Sequence, residues 1–138
     1  MKKVILSLTI ILIAFSVVFA QSDSGKNAKT AKKNKNAPEI TFKETTHDYG
    51  TIKRGGDGTF EFVFKNTGKE PLVLSNVKSS CGCTVPTWPR EPVKRKKEAS
   101  IKVKYDTNRM GRFTKSITVY SNAKNSPVSL IIKGTVVQ

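Results

Sequence analysis

Phe60-Glu61-Phe62-Val63-Phe64-Lys65, closed by Asn66-Thr67-Gly68, is the segment that settles which backbone the chain adopts. Phenylalanine recurs at every second position while Glu61 and Lys65 fall on the other side, and a period of two is the repeat of a β-strand. On a helix Phe60 and Phe64 would share a face and Phe62 would point away from it. On a strand they share one face, and each can bury about 150–250 Å². At roughly 25 cal/mol per Å² that face contributes several kcal/mol of burial free energy. The rings are therefore expected to form core rather than to line a cofactor site, and Asn66-Thr67-Gly68 supplies the turn that ends the strand.

The same alternation returns repeatedly between turn residues on either side. Upstream, Ile40 and Phe42 share one face of a first short strand, and Tyr49-Gly50 reads as a bend whose ring enters the core. Downstream, Pro71 to Val77 reads as a strand with Leu72, Leu74 and Asn76 on one side and Val73 and Val77 on the other. Ile101, Val103 and Tyr105 alternate with Lys102 and Lys104, and Asp106 to Gly111 turns the chain. Phe113, Ile117 and Val119 alternate with Thr114, Ser116 and Thr118, and Ser121 to Pro127 turns it again. Val128 to Val137 is the last strand, with Gly134 expected to mark a bulge. Outside the N-terminal apolar run no ten-residue window carries a helical period. Short strands with turn signals every 8–12 residues predict an all-β chain, an immunoglobulin-like antiparallel β-sandwich, with Phe60, Phe62, Phe64, Ile117 and Val119 in its core.

The ends of the chain have a different composition. Lys2 and Lys3 precede an apolar run from Val4 to Phe19, which reads as a signal peptide over 1–20 with cleavage after Ala20. The run is shorter than the about 20 residues that a spanning helix needs, so no membrane span is expected after cleavage. No cysteine follows Ala20 to carry a lipid. Residues 21–37 contain no large apolar side chain and read as a disordered basic linker, with Pro38 as a hinge. Residues 38–138 make one domain of sandwich size. The expected location is the periplasm or the outside of the cell.

Charge narrows the partners. Loss of Lys2 and Lys3 with the leader takes the formal charge from +15 to +13. Lys26, Lys29, Lys32, Lys33 and Lys35 against Asp23 place +4 of this in the linker, leaving +9 on the domain, densest at Lys94-Arg95-Lys96-Lys97. Such a charge on an exported protein suits an envelope protein with an acidic face or an anionic envelope polymer. Nucleic acid is not the expected partner, because the aromatics fall at core spacing and the basic run has none between its charges.

His47-Asp48-Tyr49-Gly50-Thr51-Ile52, Phe62-Val63-Phe64-Lys65-Asn66-Thr67-Gly68, Ser80-Cys81-Gly82-Cys83-Thr84, Tyr105-Asp106, Gly111-Arg112-Phe113 and Ile117-Thr118-Val119-Tyr120-Ser121-Asn122 occur in that order. As an ordered set, covering roughly Ile40 to Val137, they resemble the bacterial DUF1573 family of exported proteins, whose members look like the immunoglobulin-like major-sperm-protein/ASPM-SPD-2-Hydin domains. The resemblance implies a sandwich of seven or eight strands and a non-enzymatic interaction role, in a family named for having no established function. One departure stands out. Members often carry a Pro-Gly turn where this chain has Arg95-Lys96-Lys97-Glu98, which predicts a looser, solvated loop here.

Cys81 and Cys83, the chain's two cysteines, lie one glycine apart. In an oxidising compartment the pair can be a local exchange-active disulfide, two reduced thiols packed on the domain, or a soft Cu(I) ligand pair. Closing a three-residue loop adds only about 1.6 kcal/mol in the chain-entropy account, so a purely structural staple is the weaker reading. Gly82 is expected to relieve strain through a positive φ. His47 or Met110 could add a metal ligand if the fold brought either near, although His47 at a strand end reads first as a structural histidine. No other cofactor is expected. Trp88, between Thr87 and Pro89, reads as a cap beside the cysteines or as an exposed anchor for a partner. Lys94, Arg95, Lys96 and Lys97 read as a solvated loop or as an anionic docking patch.

Two functions remain open from these residues. One is an exported binding or structural module that uses sheet edges and end loops. The other is a thiol-disulfide or Cu(I)-handling protein. No Ser/His/Asp set, paired catalytic carboxylates or phosphate loop can be picked out, so an enzyme is the less expected class.

Overall fold

The structure is a computed structural model, and residues 34–138 are described. The signal peptide read over 1–20 and the linker up to residue 33 lie outside the described residues. Eight strands follow in order: β1 Ile40–Phe42, β2 Thr46–Lys53, β3 Thr59–Asn66, β4 Leu74–Ser79, β5 Thr84–Thr87, β6 Glu98–Tyr105, β7 Gly111–Ser121 and β8 Val128–Val137. They form two four-stranded sheets, β1-β3-β6-β5 and β2-β8-β7-β4. No described residue is in a helix, and no helix there is long and apolar enough to cross a membrane.

The phenylalanine face does what its period predicts. Phe62 and Phe64 are fully buried, opposite Ile101 and Ala99 on β6. They meet Ile117 and Val119 of β7 and Leu130, Ile132 and Val136 of β8 in one core between the sheets. Phe60 differs from the expected core set in being only half-buried, near the end of the face, where the His47 ring stacks on it at 3.5 Å between centroids.

The pairing is antiparallel throughout with one exception: β2 runs parallel to β8, with Thr46 opposite Ile131 and Ile52 opposite Val136. The reason is the short passage between β1 and β2. Lys43 N–H still donates to Val63 O beside β1, and two residues later Thr45 O accepts from Ile131 N–H in the other sheet. The chain thus changes sheets without reversing direction, a corner made by one extended segment.

Four local expectations are corrected. Tyr49-Gly50 is not only a bend but part of strand β2, whose register shifts between Asp48 and Thr51 with Gly50 at φ 63°. Gly134 carries no bulge: β7 and β8 pair without a shift there, and the bulge belongs to β2 opposite. A Cβ on Gly134 would lie 3.0 Å from the Phe113 ring and 3.1 Å from Gly50 O, so the glycine makes room for them. The strand read over Pro71 to Val77 begins at Leu74 instead and shifts register between Leu74 and Asn76. That shift moves Val77 onto the buried side with Leu72 and Leu74 and leaves Val73 exposed.

The fourth correction concerns the end of the expected linker. Residues 34–37 form a turn, with Ala37 N–H donating to Asn34 O at 3.0 Å and Glu70 N–H donating to Asn36 O at 3.1 Å. Pro38 is buried rather than a hinge, and its carbonyl accepts Lys124 N–H at 2.9 Å. Composition misses this because the turn is held by backbone hydrogen bonds rather than by apolar burial. Gly68 permits the crossing: a Cβ there would sit 2.5 Å from Ala37 O, Glu39 N and Pro38 Cα.

Tyr49 links this architecture to pH. Its hydroxyl donates to Gly58 O at 2.8 Å, and burial, reinforced by the negative charge of Asp57, pushes its pKa from 10.0 up to about 12. A raised tyrosine pKa means that the fold favours the neutral form. The stabilisation is present in full below pH 10 and is lost as pH rises through about 12. Urea titrations across that range should show stability falling, with a shallower fall in Tyr49→Phe. Tyr105, whose pKa burial also raises, should keep part of the slope. Equal slopes in the two proteins would show that Tyr49 is not a linked group.

Candidate functional site

The connections divide between the two ends of the sandwich. At one end, Arg54–Gly58, Ser80–Cys83 and Asp106–Met110 come together: Gly55 N–H donates to Thr107 O at 3.2 Å, Tyr105 N–H to Gly58 O at 2.9 Å and Asp106 N–H to Cys83 O at 2.9 Å. At the other end lie the 34–39 segment, the β3–β4 turn, Val93–Lys97 and the β7–β8 turn, joined through Asn66, Leu72 and Asn125.

Cys81 and Cys83 sit on the crossing from β4 in one sheet to β5 in the other. The structure joins them as a disulfide, with Cα atoms 5.3 Å apart. The loop is fixed at both ends, by Ser80 N–H to Ser116 O at 2.9 Å and by Asp106 N–H to Cys83 O at 2.9 Å. The two sulfur-bearing residues are not equivalent: Cys83 is 5% exposed, whereas Cys81 is half-buried. Gly82 is exposed, lies outside the positive-φ region and, its two flanking cysteines aside, would meet nothing within 4 Å if it carried a Cβ. The expected relief through a positive φ is therefore absent.

Thr84 is the residue that sequence reading missed. It is 2% exposed, and its Oγ1 lies 3.9 Å from both sulfurs. A disulfide sulfur carries no hydrogen, so in those contacts the hydroxyl is the donor. Its position just after the cysteine motif and at the start of a strand was the only sequence signal. Asp106 flanks the loop and pairs with Arg109 at 3.6 Å. Its carboxyl is held below the usual range, chiefly by the Asn108 backbone N–H.

Two expected neighbours are elsewhere. His47 is on β2, at the edge of its sheet opposite β4, against Phe60 and Tyr49. With three strand spacings of about 4.8 Å between β2 and β4, it does not join the cysteines as a ligand. Among the described residues no three His, Cys, Asp or Glu side chains form a metal-holding cluster. Met110 is 54% exposed in the turn before β7. Trp88 packs against the core but follows β5, a full strand away from the cysteines, and Arg90 lies over its ring at 4.1 Å. The cap is thus not beside the disulfide, because β5 carries the chain toward the opposite end.

The basic stretch is a defined turn rather than a loose loop. Lys97 N–H donates to Lys94 O at 3.0 Å, and Lys96, at the third position, has φ 63°. With Arg95 outside the positive-φ region, this is the pattern of a type II turn, in which the third residue favours glycine. Asn66 clamps it: Asn66 O accepts Lys96 N–H at 2.8 Å, and Asn66 N–H donates to Lys97 O at 3.0 Å. All four basic side chains are exposed, and none has a carboxylate within salt-bridge distance among the described residues. Because a side chain in the left-handed region costs free energy that glycine avoids, Lys96→Gly should stabilise the domain by about 1 kcal/mol. Unchanged or lower stability in urea would show that the turn is not strained at Lys96.

The sequence pattern of the family described as "Protein of unknown function (DUF1573)" matches residues 40–136. This chain belongs to the DUF1573 family. The DUF1573 domain resembles solved structures that show the immunoglobulin-like, PapD-like fold. A protein of unknown function from Porphyromonas gingivalis W83 superposes with a TM-score of 0.65 at 16% identity, covering 71% of this chain and 46% of that one. The chain thus spans less than half the length of that relative. The PapD-like domain 7 of human CEP192 gives 0.62 at 6% identity over 75% of this chain and 88% of that domain. A chain of the CsuC–CsuE chaperone–tip adhesion subunit pre-assembly complex of Acinetobacter baumannii gives 0.52 at 11% identity, over 70% and 56%. No curated protein matches the DUF1573 domain in sequence.

Proposed function

We propose that this DUF1573 domain is an exported, non-enzymatic binding module that docks on an anionic envelope component through the Lys94–Lys97 turn. The observation that carries the reading is the combination found at Lys96. A turn that glycine would serve better holds a lysine in the left-handed region, and the four cations it displays have no acidic partner among the described residues. Strain kept where a less strained residue was open to the sequence points to use of the side chain. The Asn66 clamp supports this, since a fixed turn loses little conformational freedom when it binds.

The sheet edges are less suited to strand addition than the sequence suggests. β1 has three residues, β5 has four and contains Pro86, and β2 and β4 are each broken by a register shift. Short, bulged or proline-bearing edges are the usual protection against pairing with another chain. Contact through end loops is favoured instead.

The test is recovery of the mature chain on native envelope fractions at low and high salt, beside Arg95→Glu, Lys96→Glu, Lys97→Glu. Exposed charges are screened over about 8 Å at physiological ionic strength, so binding should weaken with salt and in the triple variant. Equal recovery in every condition would leave the turn as solubilising surface. Release of the chain by osmotic shock would support export, and retention in the cytoplasm would refute it.

A further inference from the structure

We propose that the Cys81–Cys83 disulfide is an exchange site that oxidises dithiols of other exported polypeptides, with Cys81 as the sulfur that is attacked and Cys83 as the buried partner. This goes beyond docking and rests on the opposite end of the sandwich. Three features of the loop assign the roles. Cys81 is half-buried while Cys83 is 5% exposed, so an incoming thiolate reaches Cys81 first. Gly82 is exposed, and no residue outside the Cys81–Cys83 loop comes within 4 Å of where its Cβ would be. Cys83 N–H points at Cys81 Sγ at 3.3 Å, and the buried Thr84 hydroxyl lies 3.9 Å from each sulfur, so donors are already in place for the charge that appears when the bond opens.

The steps balance within the named reactants. A thiolate of the substrate dithiol attacks Cys81 Sγ, the Cys81–Cys83 bond breaks, and its electron pair leaves on Cys83 Sγ, beside the Thr84 hydroxyl. The second substrate thiol, as thiolate, then attacks the substrate sulfur of the mixed disulfide. The substrate disulfide forms, and the electron pair leaves on Cys81 Sγ, where Cys83 N–H receives it. The substrate loses two electrons and two protons, and the cysteine pair gains them. A ring this small gains little from loop-closure entropy, which favours oxidation of the substrate over retention of the bond.

The experiment mixes the oxidised chain with a synthetic peptide carrying two cysteines, quenches with acid at intervals, and maps adducts by mass spectrometry. Peptide disulfide should appear in step with two new thiols on the chain, and the transient adduct should map to Cys81. Single-cysteine variants give a second reading that does not need the disulfide. With 5,5′-dithiobis(2-nitrobenzoate), the thiol of Cys83→Ser should react at least tenfold faster than the thiol of Cys81→Ser, each variant first shown to be folded by circular dichroism. Thr84→Val should slow peptide oxidation severalfold, and Thr84→Ser, which keeps the hydroxyl, should restore it. Should either single-cysteine variant not fold, the adduct position in the wild-type chain decides alone. No peptide oxidation, an adduct on Cys83, or equal reactivity of the two thiols would overturn the proposal.

Discussion

Phe62→Ala is expected to destabilise the domain by about 3–5 kcal/mol, the range for truncating a buried aromatic. Phe62 is fully buried, faces Ile101 across the sheet and meets Phe60 edge-on at 4.9 Å between ring centroids. Its removal leaves a cavity at the centre of the packed interior, where neither sheet can collapse without dragging its hydrogen-bonded neighbours. For a domain of this size each kcal/mol corresponds to about 4–8 °C, so the melting temperature should fall by on the order of 15–30 °C. Phe60→Ala, at a half-buried position on the same strand, should cost less than half as much. A loss below about 1 kcal/mol for Phe62→Ala in urea would place the core elsewhere.

Asn66→Ala is expected to cost about 2–4 kcal/mol, because it strands several buried polar groups at once. The Asn66 amide donates to Glu70 O at 2.8 Å and to Val93 O at 2.9 Å, and its Oδ1 accepts Gly68 N–H at 3.0 Å. Asn66 itself is fully buried, so water cannot replace those partners without opening the turn. Asn66→Asp should be worse than alanine at neutral pH, since it turns two donors toward carbonyls into a buried charge facing them. The same substitutions remove the side-chain hold on Val93 O beside the basic turn but keep the Asn66 backbone bonds to Lys96 and Lys97. They should therefore weaken the fold more than the docking, whereas Lys96→Gly should weaken docking while stabilising the fold. Equal urea midpoints for wild type and Asn66→Ala would contradict a stabilising role for this buried amide network.

The strands that were legible in the sequence are those where burial and period agree. On β3, β6, β7 and β8 alternate side chains face the core without interruption across several residues, and a period of two is then unmistakable. β2 was missed because the Gly50 bulge shifts the phase halfway along, so His47, Tyr49 and Ile52 do not keep one period. β5 was missed because four residues including Pro86 give too little alternation to see. The basic turn looked loose because its order comes from Asn66, far away in the chain, and not from its own residues. The same limit applied at the candidate site. The two cysteines were visible as a pair, but their unequal exposure and the contact with Thr84 arise from the crossing between sheets. The separation of His47 and Trp88 from that pair is likewise a matter of strand order.

The sandwich is expected to stand on its core and to leave the cysteine pair free for chemistry. This is tested most directly by urea titration of the Cys81→Ser, Cys83→Ser double variant beside the oxidised wild type. A three-residue loop contributes about 1.6 kcal/mol by chain entropy, so the variant should stay folded, with a cooperative transition and a loss of no more than about 2 kcal/mol. A double variant that is unfolded in water, or that loses as much stability as Phe62→Ala, would show that the pair is a structural staple and would contradict this reading.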